Sequence, residues 1–132
     1  MSQVNWLAVM VAALSAFALG ALWYSPILFG KSWMALTGLD QEALAKRSPV
    51  LVFGSSFLLS LLAAAVFAMF LGSDPSLGLG VGAGVATGLA WVAASYGINY
   101  LFEARPFRLF LVNGGYHALQ FTLYGVILGL WH

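Results

Sequence analysis

The chain has 132 residues, 62% hydrophobic and 7% charged, with a formal net charge of +1 and a mean hydropathy of +0.95. A soluble domain carries about a quarter charged residues because its surface must face water, so this composition excludes an ordinary soluble globule. Its five basic residues are too few, and too dispersed between apolar runs, for a nucleic-acid surface. With no cysteine, structural disulfides, thiol catalysis and cysteine-bound metals are excluded as well.

Four apolar runs follow, each long enough to supply the roughly 20 helical residues that a bilayer core requires. The first span is predicted over residues 4–28, entered by Asn5-Trp6 and left through "WYSPILFGK". No basic residue precedes Lys31 and the run is long, so it reads as a retained span and not a cleaved signal. In the following connection Ile27, Leu28, Phe29, Trp33 and Met34 surround Lys31, which predicts an interfacial elbow or, alternatively, a docking site for a partner. "LDQEALAKR" then reads as a short polar helix, acidic first and basic last, in accord with the helix dipole.

Span two is predicted over residues 50–71, with Ser48 as N-cap and Pro49 at the first helical position. Its mild polar groups, Ser55, Ser56 and Ser60, are expected to bond back to their own helix. It is therefore expected to be the span most exposed to lipid. Span three, residues 77–102, follows "SDPS", where Asp74 is expected to cap and Pro75 to open the turn. Gly80, Gly84 and Gly88 form a small-residue stripe for close helix packing. Trp91, Ser95, Asn99 and Glu103 are expected to continue that face. The run "GLGVGAG" follows no strand and lacks the third glycine of a dinucleotide loop.

Span four, residues 107–131, divides into three stripes at 100° per residue. Asn113, His117, Gln120 and Tyr124 fall within about 60° of one another. Gly114, Ala118, Thr122, Gly125 and Gly129 form a small stripe, and Val112, Leu119, Leu123, Val126 and Leu130 an apolar one directed at lipid. Ala16 and Gly20 are the matching small residues of span one. The polar stripe must face protein or water, because an unsatisfied group in hydrocarbon costs several kcal/mol. Its candidate binding residues are Asn99, Asn113, Tyr116, His117, Gln120 and Tyr124, with Ser95 near His117 in depth.

His117 is the deepest ionisable group. A neutral imidazole bonded to Ser95, Asn99 or a tyrosine is its structural reading; a proton relay or solute ligand is the functional one. Tyr24, Lys31, Glu103, Arg105 and Arg108 form a candidate mouth, with Glu103 either ion-paired to the neighbouring bases or gating a polar cleft. No catalytic constellation, metal site or cofactor motif is evident, and no enzymatic activity is expected.

The predicted fold is all-α: one domain, residues 1–132, with four transmembrane helices in a bundle. Lys31, Lys46 and Arg47 lie in one connection and Arg105 and Arg108 in another, which by the positive-inside rule places both in the cytoplasm and both termini outside. "WYSPILFGK" and "NYLFEARPFR" also show a short internal likeness, as two parallel hairpins would.

"NWLAV", "GALWYSPILFGKSW" and "YLFEARPFRLFLVNGGYHAL" together resemble the bacterial membrane family called domain of unknown function 1761, over essentially the whole chain. The resemblance implies a small protein of several spans in the inner membrane, and supplies no activity. Its motifs fall on Asn5, Trp6, Trp23, Tyr24, Ser25, Pro26, Phe29, Gly30, Lys31, Trp33, Glu103, Arg105, Asn113, Gly114 and Tyr116. The expected role is an oligomer whose polar cleft passes a small solute, ion or proton. The alternative is an accessory or scaffold subunit with its stripe buried in dry helix contacts. Expected partners are the lipid bilayer, further copies of the chain and, in the alternative role, another membrane protein, with no nucleic acid.

Overall fold

The computed structural model describes residues 4–132, and every regular element among them is a helix. These are α1 (Trp6–Trp23), α2 (Gly30–Thr37), α3 (Gln41–Ala45), α4 (Pro49–Leu71), α5 (Leu77–Ala86), a π-helical stretch (Thr87–Ala93), α6 (Ala94–Phe102) and α7 (Phe107–Leu130). Side chains start several of them: Asn5 Oδ1 accepts from the Ala8 amide at 3.1 Å, Asp40 Oδ1 from Ala43 at 2.8 Å and Ser48 Oγ from Leu51 at 3.2 Å. At α5 the cap is Ser76, whose Oγ accepts from Leu79 at 3.0 Å. Asp74 does not cap. Its carboxylate meets His132 Nε2 at 2.9 Å instead.

The first helix stops at Trp23, short of residue 28. Pro26 disfavours a helical conformation at Ser25, and the chain folds back there, with the Leu28 and Gly30 amides both donating to Ser25 O. Three helices are long and apolar enough to cross a membrane: Trp6–Trp23, Pro49–Leu71 and Leu77–Phe102. Of the four spans expected, three meet that measure and α7 does not: it is 24 residues long but diluted by Arg108, Asn113, His117, Gln120 and four glycines. Packing accounts for this. α7 touches α1, α2, α4, α5, the π stretch and α6, so much of its circumference meets protein, where polar side chains have partners.

The core lies between Ala8, Val9, Ala12, Ala13 and Ala16 of α1, Ala64, Phe67 and Ala68 of α4, and Phe121, Tyr124 and Leu128 of α7. Small residues on α1 let α4 and α7 approach it closely. α4 is the outer helix: Leu58, Leu59, Leu62 and Phe70 are exposed. On the other flank α5 and α7 meet backbone to backbone. A Cβ added at Gly80 would strike Gly125 O, one at Gly84 would strike Phe121 O, and one at Gly88 would come to 2.7 Å from Ala118 Cα.

The π stretch changes what this helix presents. Gly80, Gly84 and Gly88 face α7, and the next residues to do so are Ala93, Gly97 and Tyr100. A π turn inserts one residue into the α-helical repeat, so the step from Gly88 is five residues where a plain helix gives three or four. Trp91, Ser95 and Asn99 are thereby turned outward and exposed, against the expectation that they continue the glycine face. On α7 the apolar stripe is also corrected at one point: Val112 is 7% exposed and lies inside, while Leu119 and Leu130 face out.

The two ends differ. At one, Trp23, Tyr24 and Tyr100 meet Val112 and Asn113, beside both connections that carry the bases. At the other, His132 and Asp74 join the end of α7 to the α4–α5 connection.

Candidate functional site: a polar spine and a tyrosine cluster

Two hydrogen-bonded groups occupy the polar stripe of α7. The deeper is a chain of bonds across three helices. His117 Nδ1 meets Gln120 Oε1 at 2.6 Å, and Gln120 Nε2 donates to Tyr124 Oη at 2.7 Å. The Tyr124 hydroxyl lies 2.6 Å from Ser60 Oγ and 3.1 Å from Ser60 O, and Ser60 Oγ reaches Ala13 O on α1 at 3.5 Å. Tyr124, Gln120 and Ser60 are 0%, 6% and 8% exposed. Among the described residues no buried side-chain nitrogen or oxygen lacks a partner.

The shallower group sits at the basic end. Asn113 uses both ends of its amide, accepting from Tyr24 Oη and donating to Tyr100 Oη, each at 2.7 Å. Tyr116 donates to Ala16 O at 2.9 Å and lies over Gly20, where an added Cβ would sit 3.3 Å from its hydroxyl. Tyr24 packs against Tyr116 and Trp33, and Tyr96 against Tyr100. The His117 ring stacks on Tyr96, centroids 4.9 Å apart and 17° from parallel, with Tyr116 edge-on at 5.0 Å. With the Gln120 oxygen accepting, the His117 proton belongs on Nδ1. Nε2 is left as a lone pair with no partner among the described residues. Since no buried side-chain nitrogen or oxygen among the described residues goes unpartnered, Nε2 is not fully buried.

The structure therefore brings together Asn113, Tyr116, His117, Gln120 and Tyr124 and leaves out Asn99, which is exposed. Ser95 does not approach His117; it donates to Trp91 O at 2.6 Å. Asn99 and Ser95 instead line an outer groove of about 340 Å³ with Trp91, Val92 and Tyr96. At the mouth, Glu103 pairs with Arg105 at 3.2 Å, both about half exposed, and Lys31 and Arg108 join no ion pair among the described residues. A pair so exposed contributes about 0–1 kcal/mol. Gly114 packs under Ala93, and Ala118 under Gly88.

Sequence reasoning missed Ser60, Tyr96, Tyr100 and the Trp23 indole, which donates to Val112 O at 2.8 Å. Ser60 was expected to bond its own helix and instead bonds across. Tyr96 and Tyr100, four residues apart, carried a helical-face signal, but its direction depended on the π stretch. Among the described residues no three His, Asp or Glu side chains gather as a metal site.

Closely packed helices tied together by interhelical hydrogen bonds, three of them long and apolar enough to cross a membrane, define an all-helical protein compatible with a bilayer. A family model described as "Protein of unknown function (DUF1761)" matches residues 7–129, and the chain belongs to that family. No curated protein and no solved structure matches it significantly.

The turn after α1 now has a physical reading. Trp23 and Tyr24 clamp α1 to α7, Ser25 anchors the turn, and Gly30 packs directly on the Tyr24 and Ser25 backbone, where an added Cβ would lie 2.8 Å from the Ser25 carbonyl. Gly30→Ala is expected to lower the unfolding free energy by about 1–3 kcal/mol, as overpacking does. Detergent unfolding followed by tryptophan emission measures it.

Proposed function

We propose that the chain is a non-transporting membrane subunit that acts through contacts with other membrane components and carries out no reaction itself. In this reading α7 also crosses the bilayer, as the centre of a four-helix bundle. The basic end is cytoplasmic by the positive-inside rule, both termini lie outside, and the membrane is the bacterial inner membrane. Further copies of the chain or another membrane protein are its partners. One observation carries the reading: the deep half of the polar stripe, Gln120–Tyr124–Ser60, is buried and bonded to itself. Interhelical bonds of this kind hold membrane helices together, and a solute crossing along the stripe would have to break them.

A second reading rests on the free Nε2 of His117: a dead-end site at the tyrosine cluster for a proton or a small hydrogen-bonding solute. Single cysteines at 113, 117, 120 and 124, with 119 and 123 as lipid-face controls, separate the readings in native membranes. A membrane-impermeant thiol reagent is expected to leave 120 and 124 as silent as the controls. Labelling confined to 113 and 117 from the cytoplasmic side would favour the dead-end site. Labelling along all four positions would restore a transport path and refute the proposal.

A further inference from the structure

The basic end carries more than the bundle uses. Lys31, Lys46, Arg47, Arg105 and Arg108 all lie there, against the three carboxylates of Asp40, Glu42 and Glu103. Lys46 pairs with Glu42 and Arg105 with Glu103, while Asp40 caps α3. Lys31, Arg47 and Arg108 are exposed and enter no ion pair among the described residues. Beside Lys31 the elbow presents a bare apolar ridge: Ile27 is 82% and Leu28 44% exposed. The residues that follow the ridge tie it to the bundle. Phe29 packs on Trp23 at 4.6 Å and Trp33 on Tyr24 at 5.8 Å, both residues that are bonded to α7.

An apolar ridge flanked by surplus positive charge, at the end of helices fit to cross a membrane, matches an anionic lipid surface. Acyl chains receive the ridge and headgroup phosphates meet the bases. We propose that the elbow and the bases Lys31, Arg47 and Arg108 form a seat for anionic phospholipid headgroups, selecting them over zwitterionic ones. The inference rests on the helices lying in a bilayer, and is independent of whether the chain transports or assembles.

The test uses the full chain in phosphatidylcholine vesicles containing either spin-labelled phosphatidylglycerol or spin-labelled phosphatidylcholine, and measures the motionally restricted fraction of each. At low salt an about fivefold preference for phosphatidylglycerol is expected, the factor that one base near an anionic surface supplies. It should fall as sodium chloride is raised, since exposed charges are screened. In K31Q/R47Q/R108Q it should drop to about parity, with helix content by circular dichroism confirming that the variant folds. Should that variant misfold, the salt series on the unaltered protein still decides. No preference at low salt, or one that persists at high salt or in the folded triple variant, overturns the seat. Inorganic phosphate at matched ionic strength should do no more than sodium chloride. Selective displacement by phosphate would instead identify a free-anion site and also overturn the proposal.

Discussion

Gly84→Leu is expected to prevent α5 from seating on α7, while Gly82→Leu, two residues away, leaves the fold intact. The difference is one of direction alone. Around Gly84 an added Cβ meets Phe121 O, with Thr122 Cα at 3.0 Å, whereas nothing lies within 4 Å of the same atom at Gly82. The obstacle at Gly84 is backbone of a neighbouring helix, which cannot rotate out of the way as a side chain does. Leucine there must push the helices apart along the Gly80–Gly84–Gly88 contact, and with it strip the dispersion contacts that replace the hydrophobic effect between helices in lipid. Overpacking usually costs about 1–3 kcal/mol; a three-glycine backbone contact places this variant at about 3 kcal/mol or more. Unfolding in mixed micelles by sodium dodecyl sulfate, followed by circular dichroism, should show the midpoint collapse for Gly84→Leu. Gly82→Leu should shift it by less than about 0.5 kcal/mol, as surface changes do. Equal effects at the two positions would mean that the helix is rotated from the orientation described.

Tyr124→Phe is the second large effect. The ring is fully buried and the phenylalanine fits its space, so the change removes only the hydroxyl. That hydroxyl joins Gln120 of α7 to Ser60 of α4. Its loss leaves the Gln120 amide nitrogen without an acceptor, and the desolvation of that buried group is then uncompensated. Single interhelical bonds in membranes average about 0.6 kcal/mol and reach about 1.7; with a stranded amide added, about 2 kcal/mol is expected in the same unfolding assay. Gln120→Leu keeps the Ser60 bond but takes the acceptor from His117 Nδ1–H, so it should cost about as much as Tyr124→Phe. The double variant should cost less than the two singles together, because no stranded amide remains. Strict additivity would show that the spine is not a network. If Tyr124→Phe costs nothing, water has been serving the hydroxyl, and the case for a dry stripe, and with it the non-transporting role, fails.

Much of the site was legible because α7 is a regular helix. Its 3.6-residue period puts Asn113, His117, Gln120 and Tyr124 on one face whatever surrounds it, and hydrocarbon requires that such a face be covered. The small stripe facing α5 followed from the same arithmetic. The elbow was legible too, since apolar residues crowd around Lys31, although the span was expected to run on to residue 28 and ends at Trp23 instead. The partners were not. Ser60 looks like any membrane serine bonding its own turn; only the seating of α4 against α1 and α7 brings it to Tyr124.

By itself the sequence determined that the chain is helical and membrane-like, which end carries the bases, and which α7 residues share a face. These follow from composition and from periodicities that each helix obeys alone. The tertiary structure decided what those faces meet. The π stretch at Thr87–Ala93 adds one residue to the repeat where Gly88 closes on Ala118, turning Ser95 and Asn99 outward and Tyr96 and Tyr100 inward. Central packing likewise gave α7, expected as a span but more polar than the three most apolar helices, neighbours for its polar side chains. Both depend on contacts between segments far apart in the chain, and no local periodicity encodes them.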